Sequence, residues 1–131
     1  GYAVADVARV YAEGVRWERF DDAAAVVPPA EQAAFLDERD QLAKDLRITN
    51  SEIVRVSEHG RTAEVTVKHD WYKETEGTLH VTVATQRWER QGKAWRLVDE
   101  WRARGDEMPG LRERDDESVT SAPTVARAAA D

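Results

Sequence analysis

The chain has no cysteine, little glycine and proline, and no long hydrophobic run. Its 131 residues include 7 Gly, 4 Pro and no Cys. The absence of cysteine excludes disulfides, thiolate zinc sites and cysteine nucleophiles. This composition excludes a collagen-like or low-complexity chain, and no apolar run approaches the ~20 residues of a membrane-spanning helix. The length suits one domain, because domain sizes peak near roughly 100–150 residues.

Positive charge is also in short supply. The chain has 19 basic and 26 acidic residues, and its net charge of −7 argues against a nucleic-acid-binding protein. Residues 105–131 hold seven of the acids and three of the bases, so more than half of the net charge lies there. The same segment has few large apolar side chains. We therefore predict a folded domain over residues 1–104 and an acidic, largely irregular C-terminal tail over residues 105–131.

Helical periodicity predicts two helices before any strand. The first covers residues 3–25 and should end before Pro28, because a residue that precedes proline avoids the α conformation. The second begins at Pro29, a favourable first-turn residue. Arg39 lies at the centre of its apolar face. Two interpretations of Arg39 stay open: its stem packs while its head reaches solvent, or its buried guanidinium faces a carboxylate or an anionic ligand.

From residue 47 onward the apolar residues alternate, which predicts four antiparallel strands. A two-residue turn at His59-Gly60 would pair Ile48 with Trp71 and would place Asn50 opposite His69. The third strand, about 78–90, would turn Val81 and Val83 inward through a loop with an odd number of residues. The fourth strand, about 93–103, would present an inner face of Trp95, Leu97, Asp99 and Trp101. The predicted fold is α+β, with two N-terminal helices packed on a curved four-stranded antiparallel sheet, cone-like in shape.

The segment TQRWERQGKAWRLVDEW, residues 85–101, resembles the final hairpin of the nuclear-transport-factor-two-like superfamily, the cystatin-like α+β cone. This resemblance covers about residues 1–103. It implies a conical cavity lined by inward side chains, and a homodimer formed through the sheet. The superfamily includes ketosteroid isomerase, scytalone dehydratase and polyketide cyclases beside many non-enzymatic domains, so the fold alone does not select a function.

Two shorter segments resemble a group of uncharacterised bacterial envelope lipoproteins. They are KDLRITNSEI, residues 44–53, and VKHDWY, residues 67–72. The resemblance implies a location in the bacterial cell envelope, lipid-anchored or periplasmic, if an upstream signal has been removed; otherwise the protein would be cytoplasmic. The sequence begins with Gly1 and not with methionine, so the chain is either processed or cut from a longer gene product.

Polar residues on the predicted inner faces define the candidate site. Asp99 could act as a base, because an aromatic pocket disfavours the charged carboxylate, and Tyr11 or His69 could polarise a substrate. The alternative interpretation is that His69 and Asp99 have no catalytic role and lie near the rim, hydrated or hydrogen-bonded. The full set of predicted ligand-binding residues is Tyr11, Trp17, Arg39, Asn50, His69, Trp71, Asp99 and Trp101.

We expect no metal and no cofactor. The histidines His59, His69 and His80 do not converge in the predicted sheet, and no glycine-rich phosphate loop is present. The leading hypothesis is a non-catalytic domain of a bacterial envelope protein that binds a protein partner or a small apolar ligand. The alternative is a ketosteroid-isomerase-like or cyclase-like enzyme that transfers a proton in the cone pocket.

Overall fold

The computed structural model describes residues 2–114, in which helices precede a single sheet. The helices are α1 (Val4–Arg16), α2 (Phe20–Ala24), a 3-10 turn (Pro29–Glu31) and α3 (Gln32–Leu42). The strands follow as β1 (Leu46–His59), β2 (Thr62–Lys73), β3 (His80–Gln91), β4 (Ala94–Gly105) and β5 (Arg112–Glu113). They lie in the order β1-β2-β3-β4-β5, with β5 parallel to β4 and the other pairs antiparallel.

The predicted architecture of two helices on a four-stranded antiparallel sheet is wrong in two places. The sheet is mixed and has a fifth strand, because residues assigned to the tail pair with β4. The predicted first helix is split, because Glu18 adopts a positive φ of 58° and the amide of Arg19 donates to the carbonyl of Gly14. The chain then reverses and α2 packs back on α1. Gly14 permits this approach, since a Cβ there would lie 3.1 Å from the backbone nitrogen of Ala23.

The register between β1 and β2 differs from the prediction near the turn that joins the two strands. It matches the prediction at the far end of the strand pair. The turn lies at Gly60-Arg61 and not at the predicted His59-Gly60, so that Val56 pairs with Val65. Two irregularities in β1, between Ile48 and Asn50 and between Ile53 and Arg55, then shift the pairing. Ile48 consequently lies opposite Trp71, as predicted, while His69 faces Ser51 and not Asn50.

The inner face of β3 differs from the predicted one. Trp71 pairs with His80 and Lys68 with Val83, across a loop with an even number of residues. This register turns Val81 outward, where it is 42% exposed. The inward side chains of β3 are small, polar or aromatic, and all of them are buried: Thr82, Ala84, Gln86 and Trp88.

An irregularity in strand β4 determines which of its side chains point into the site. Its pairing with β3 shifts between Arg87 and Trp88, where Trp88 faces Leu97 and Arg87 faces Asp99. Val98 is therefore an extra residue in β4. A one-residue insertion exchanges the two faces of a strand. Glu100, paired with Gln86, takes the inward position that alternation had assigned to Asp99.

The chain after β4 belongs to the folded unit as far as the structure describes it. Met108 is buried and packs with Leu46 and Trp71, and Leu111 packs against the same cluster. Asp106 accepts a hydrogen bond from Thr82 through its backbone carbonyl, at 2.6 Å. Of the predicted irregular tail, residues 105–114 therefore pack on the sheet, and residues 115–131 lie outside the described residues.

The outer face of the sheet exposes several apolar side chains, among them Val54, Val56 and Val81. A homodimer through this face, a protein partner and the absence of nucleic-acid binding all remain predictions. Within residues 2–114, every helix is too short or too polar to cross a membrane.

Candidate functional site

One cavity of about 660 Å³ opens between α3, β4 and the segment that leads into β5. Its apolar wall includes Val27, Phe35, Leu97 and Leu111. Its polar residues are Tyr11, Glu31, Glu38, Arg39, Asp99, Glu100 and Arg112. Pockets that hold small molecules have volumes of roughly 300–1,000 Å³ and combine apolar walls with a few polar groups. The volume of this cavity lies within that range, and its wall combines the apolar residues with these polar and charged ones.

A chain of hydrogen bonds forms the inner end of the cavity. The indole Nε1 of Trp88 donates to Oε1 of Gln86 at 3.0 Å, and Nε2 of Gln86 donates to Oε2 of Glu100 at 3.0 Å. The hydroxyl of Tyr11 donates to the other oxygen of Glu100 at 3.2 Å. Each carboxylate oxygen of Glu100 thus accepts one hydrogen bond, which fixes the orientation of its head group.

Burial dominates the protonation of this pair. Desolvation raises the pKa of Glu100 above its usual range, and the hydrogen bond from Gln86, the charge of Arg39 and the hydrogen bond from Tyr11 oppose that effect. Burial and the neighbouring Glu100 charge raise the pKa of Tyr11 well above 10. Glu100 is therefore protonated more easily than an exposed glutamate, and Tyr11 stays a neutral donor.

Arg39 is the cation at the centre of the site. It is 8% exposed, and its Nε has no hydrogen-bond partner among residues 2–114. No guanidinium nitrogen of Arg39 lies within 4.0 Å of a carboxylate oxygen in that part of the chain. The guanidinium carbon lies 5.8 Å from the centroid of the Phe20 ring. The structure buries the Arg39 side chain, as the second interpretation requires, and the anion opposite its guanidinium stays a prediction.

His69 lies deeper, in a void of about 20 Å³ that adjoins the cavity and is also lined by Arg39 and Glu100. Its Nδ1 shares a 2.7 Å hydrogen bond with Oγ of Ser51. Burial, and then the charge of Arg39, lower the pKa of His69 to about 4. His69 is consequently neutral at pH 7, and it adds no second cation to the site.

Asp99 lies at the rim of the cavity and is paired there. Arg112 of β5 donates to both of its carboxylate oxygens, at 3.1 and 2.6 Å. The extra residue Val98 turns Asp99 away from Tyr11, so the predicted pairing of Asp99 with Tyr11 does not form. Trp101 shares the face of Asp99, and the guanidinium of Arg114 lies 4.7 Å from its ring.

Three other predicted ligand-binding residues lie away from the cavity. Trp17 is 53% exposed on the helix surface, where its Nε1 donates to Glu13. Asn50 is exposed on β1, because the irregularity after Ile48 shifts it out of the inward register. Trp71 is buried in the apolar cluster that contains Leu46 and Met108, and its Nε1 donates to Oγ1 of Thr82 at 2.8 Å.

The cavity thus collects Tyr11, Arg39 and Asp99 from the predicted set, together with Glu100, which was not predicted. The adjoining void is lined by His69, which was predicted, and by Gln86, which was not. Alternation could not identify Glu100, because the extra residue in β4 has no signature in the sequence. Gln86 had a weak signal, since it lies two residues before Trp88, on the same face of a strand. In the described part of the chain, no group of three or more His, Asp or Glu residues could hold a metal ion.

Comparison with known proteins identifies a related fold but no family. No family model matches the chain, and no curated protein matches it either. A solution structure of a SEC-C motif containing protein from Rhodopseudomonas palustris superposes with a TM-score of 0.63. The match has 13% sequence identity and covers 72% of this chain and 73% of that one. At this identity the match shows a shared fold and nothing about function.

This comparison overturns the resemblances drawn from the sequence. The matched structure is described as a SEC-C motif protein, and nothing in the comparisons supports the nuclear-transport-factor-two-like superfamily or the bacterial lipoproteins. The Trp-rich hairpin at residues 85–101 misled the assignment, because any amphipathic hairpin with tryptophans has the same pattern. The envelope location was inferred from the lipoprotein resemblance and stays a prediction.

Proposed function

We propose that this protein is a non-catalytic domain that binds a small molecule with an apolar body in the cavity between α3 and β4. The observation that carries the proposal is the cavity itself, about 660 Å³ in volume, with Phe35 and Leu97 in its wall and a buried polar cluster at its inner end. Apolar surface supplies most of the affinity in such sites, and a few fixed polar groups select the orientation.

The orientation of the polar groups supports binding over catalysis. Both oxygens of Glu100 already accept hydrogen bonds, from Tyr11 and Gln86. Asp99, the base predicted from the sequence, is held by Arg112 at the rim. A general base needs free access to the proton that it removes. The described groups instead form a pre-organised wall against which a ligand can pack.

A blocking substitution tests this proposal. Ala34 lines the cavity on α3, whereas Ala33, its neighbour, is exposed and does not line it. Ala34→Trp should fill the entrance without disturbing the core, and Ala33→Trp is the matched control. We expect the neutral probe 2-naphthalenemethanol to shift the amide NMR signals of Leu97 and Glu100 in the parent protein and in the Ala33 variant. The Ala34 variant should show no such shifts.

Two results would contradict the proposal. If the probe produced no shifts in the parent protein at about 1 mM, the cavity would lack the affinity of even a weak ligand site. If the Ala34 and Ala33 variants bound the probe equally well, binding would take place elsewhere on the protein.

Proton transfer is the second candidate function, and one observation favours it. Burial raises the pKa of Glu100 above its usual range, and a raised pKa suits a carboxyl group that acts as a general acid or base. Deuterium exchange at the acidic carbon of 2-tetralone in D₂O tests this candidate. Catalysed exchange that is lost in Glu100→Gln would establish an enzyme, and exchange at the rate of buffer alone would leave binding as the function.

A further inference from the structure

The strongest unexplained feature of the cavity is the unpaired charge of Arg39. A buried cation is normally paired, because removal from water is costly and only a nearby anion compensates for it. Arg39 is buried, its Nε lacks a partner within residues 2–114, and its side chain lines both the main cavity and the small void beside it. The site therefore has one cation that its own described residues do not neutralise at contact distance.

The nearest acid does not fill this role. Glu100 is close enough for its pKa to be lowered by the charge of Arg39, but its two oxygens are engaged by Gln86 and Tyr11. His69 cannot help, because it is neutral at pH 7 and carries no negative charge in any state near that pH. No described carboxylate contacts the guanidinium of Arg39, which leaves room for an anion from outside this part of the chain.

We infer that the ligand carries a carboxylate, and that this group pairs with the buried guanidinium of Arg39 while the apolar body lies against Phe35 and Leu97. This inference rests on the proposed small-molecule function. The planar guanidinium matches a carboxylate in a bidentate arrangement, which makes the pair both strong and directional.

The other charges of the cavity restrict the anion to a single charge. Glu31, Glu38 and Glu100 line the same space, and Arg112 at the rim is already engaged by Asp99. A doubly charged phosphate would face these carboxylates with only one buried cation to balance it. A monoanion meets less repulsion from these carboxylates than a dianion does, so a carboxylate fits better than a phosphate ester.

Three probes with the same naphthalene body separate the possibilities. They are 2-naphthoate, the neutral 2-naphthamide and the dianionic 2-naphthyl phosphate, each titrated calorimetrically at pH 7.5 and constant ionic strength. We expect 2-naphthoate to bind about tenfold more tightly than 2-naphthamide, a difference of about 1.4 kcal/mol. The phosphate should bind more weakly than the carboxylate.

Substitutions then assign the preference to one side chain. In Arg39→Met the ratio of the two affinities should fall to about one, while 2-naphthamide still binds. Arg39→Lys keeps the positive charge but loses the planar guanidinium, so it should show an intermediate ratio of affinities. This second variant also keeps the test valid if Arg39→Met does not fold. Arg114→Met removes an exposed arginine that does not line the cavity, and the ratio should stay at its parent value.

The outcomes distinguish this inference from the function on which it rests. Equal binding of naphthoate and naphthamide to the parent protein would overturn the carboxylate inference and leave the small-molecule function intact. A preference that survives Arg39→Met, or tighter binding of the phosphate, would also overturn it. If none of the three probes binds, the proposed function fails and the inference fails with it.

Discussion

The buried histidine of the site makes the stability of the fold depend on pH in a predictable way. Burial lowers the pKa of His69 from its ordinary 6.5 to about 4, and its side chain is 7% exposed. Above pH 6.5 His69 is neutral in both the folded and the unfolded state, so its titration does not change the free energy of unfolding. As the pH falls from 6.5 toward 4, the unfolded chain takes up the proton and the folded chain does not. Acidification therefore destabilises the fold through this residue.

The expected loss of unfolding free energy follows from how far burial lowers the pKa of His69. At about 1.4 kcal/mol for each pKa unit, the folded protein loses roughly 3 kcal/mol through His69 between pH 7.5 and pH 4. His69→Gln removes the titration and keeps a polar partner for Ser51. Urea unfolding followed by tryptophan fluorescence should therefore show that the variant gains stability relative to the parent as the pH falls.

The comparison between the two proteins is needed because carboxylates titrate over the same range. His59→Gln, which changes an exposed histidine on the first hairpin, is the control for a surface replacement. If the difference in unfolding free energy between the parent and His69→Gln stayed constant from pH 7.5 to pH 4, His69 would not be buried in a neutral state. The description of the inner end of the cavity would then be incorrect.

Two further predictions concern the segment after β4 and the carboxyl group of the site. Met108→Ala should reduce the unfolding free energy by about 2–5 kcal/mol in urea titrations, because Met108 packs with Leu46 and Trp71; a loss near zero would show that the segment is not docked. Glu100→Gln should change the pH dependence in the opposite sense to His69→Gln. Burial raises the pKa of Glu100, so the folded state takes up its proton first, and the parent should gain stability relative to the variant as the pH falls. A constant difference across the same pH range would refute this.

The sequence predicted the order of the main elements because that order depends on periodicity. The switch from helical to alternating apolar residues near residue 47 matches the start of β1 at Leu46. The pairing of Ile48 with Trp71 was also predicted correctly. Tyr11 and Arg39 were assigned to the interior from their positions on apolar helix faces, and both are buried.

The errors in the predicted inner faces of β3 and β4 have local structural causes that cannot be recognised from the sequence. Val81 and Val83 alternate as an inward pair would, but the register with β2 gives the inner face of β3 to Thr82, Ala84, Gln86 and Trp88. The extra residue Val98 exchanged the positions of Asp99 and Glu100. Backbone irregularities of this kind are set by tertiary packing, and no residue type marks them.

The most direct test of the central claim is the location of bound 2-naphthoate by NMR. We expect intermolecular nuclear Overhauser effects from the naphthalene protons to Phe35 and Leu97, and a sharpened, downfield Nε–H signal of Arg39 when the carboxylate is bound. Contacts to Val10, which lines a separate apolar groove on the outer side of α1, would contradict it. So would an Nε–H signal of Arg39 that does not change on saturation with the ligand.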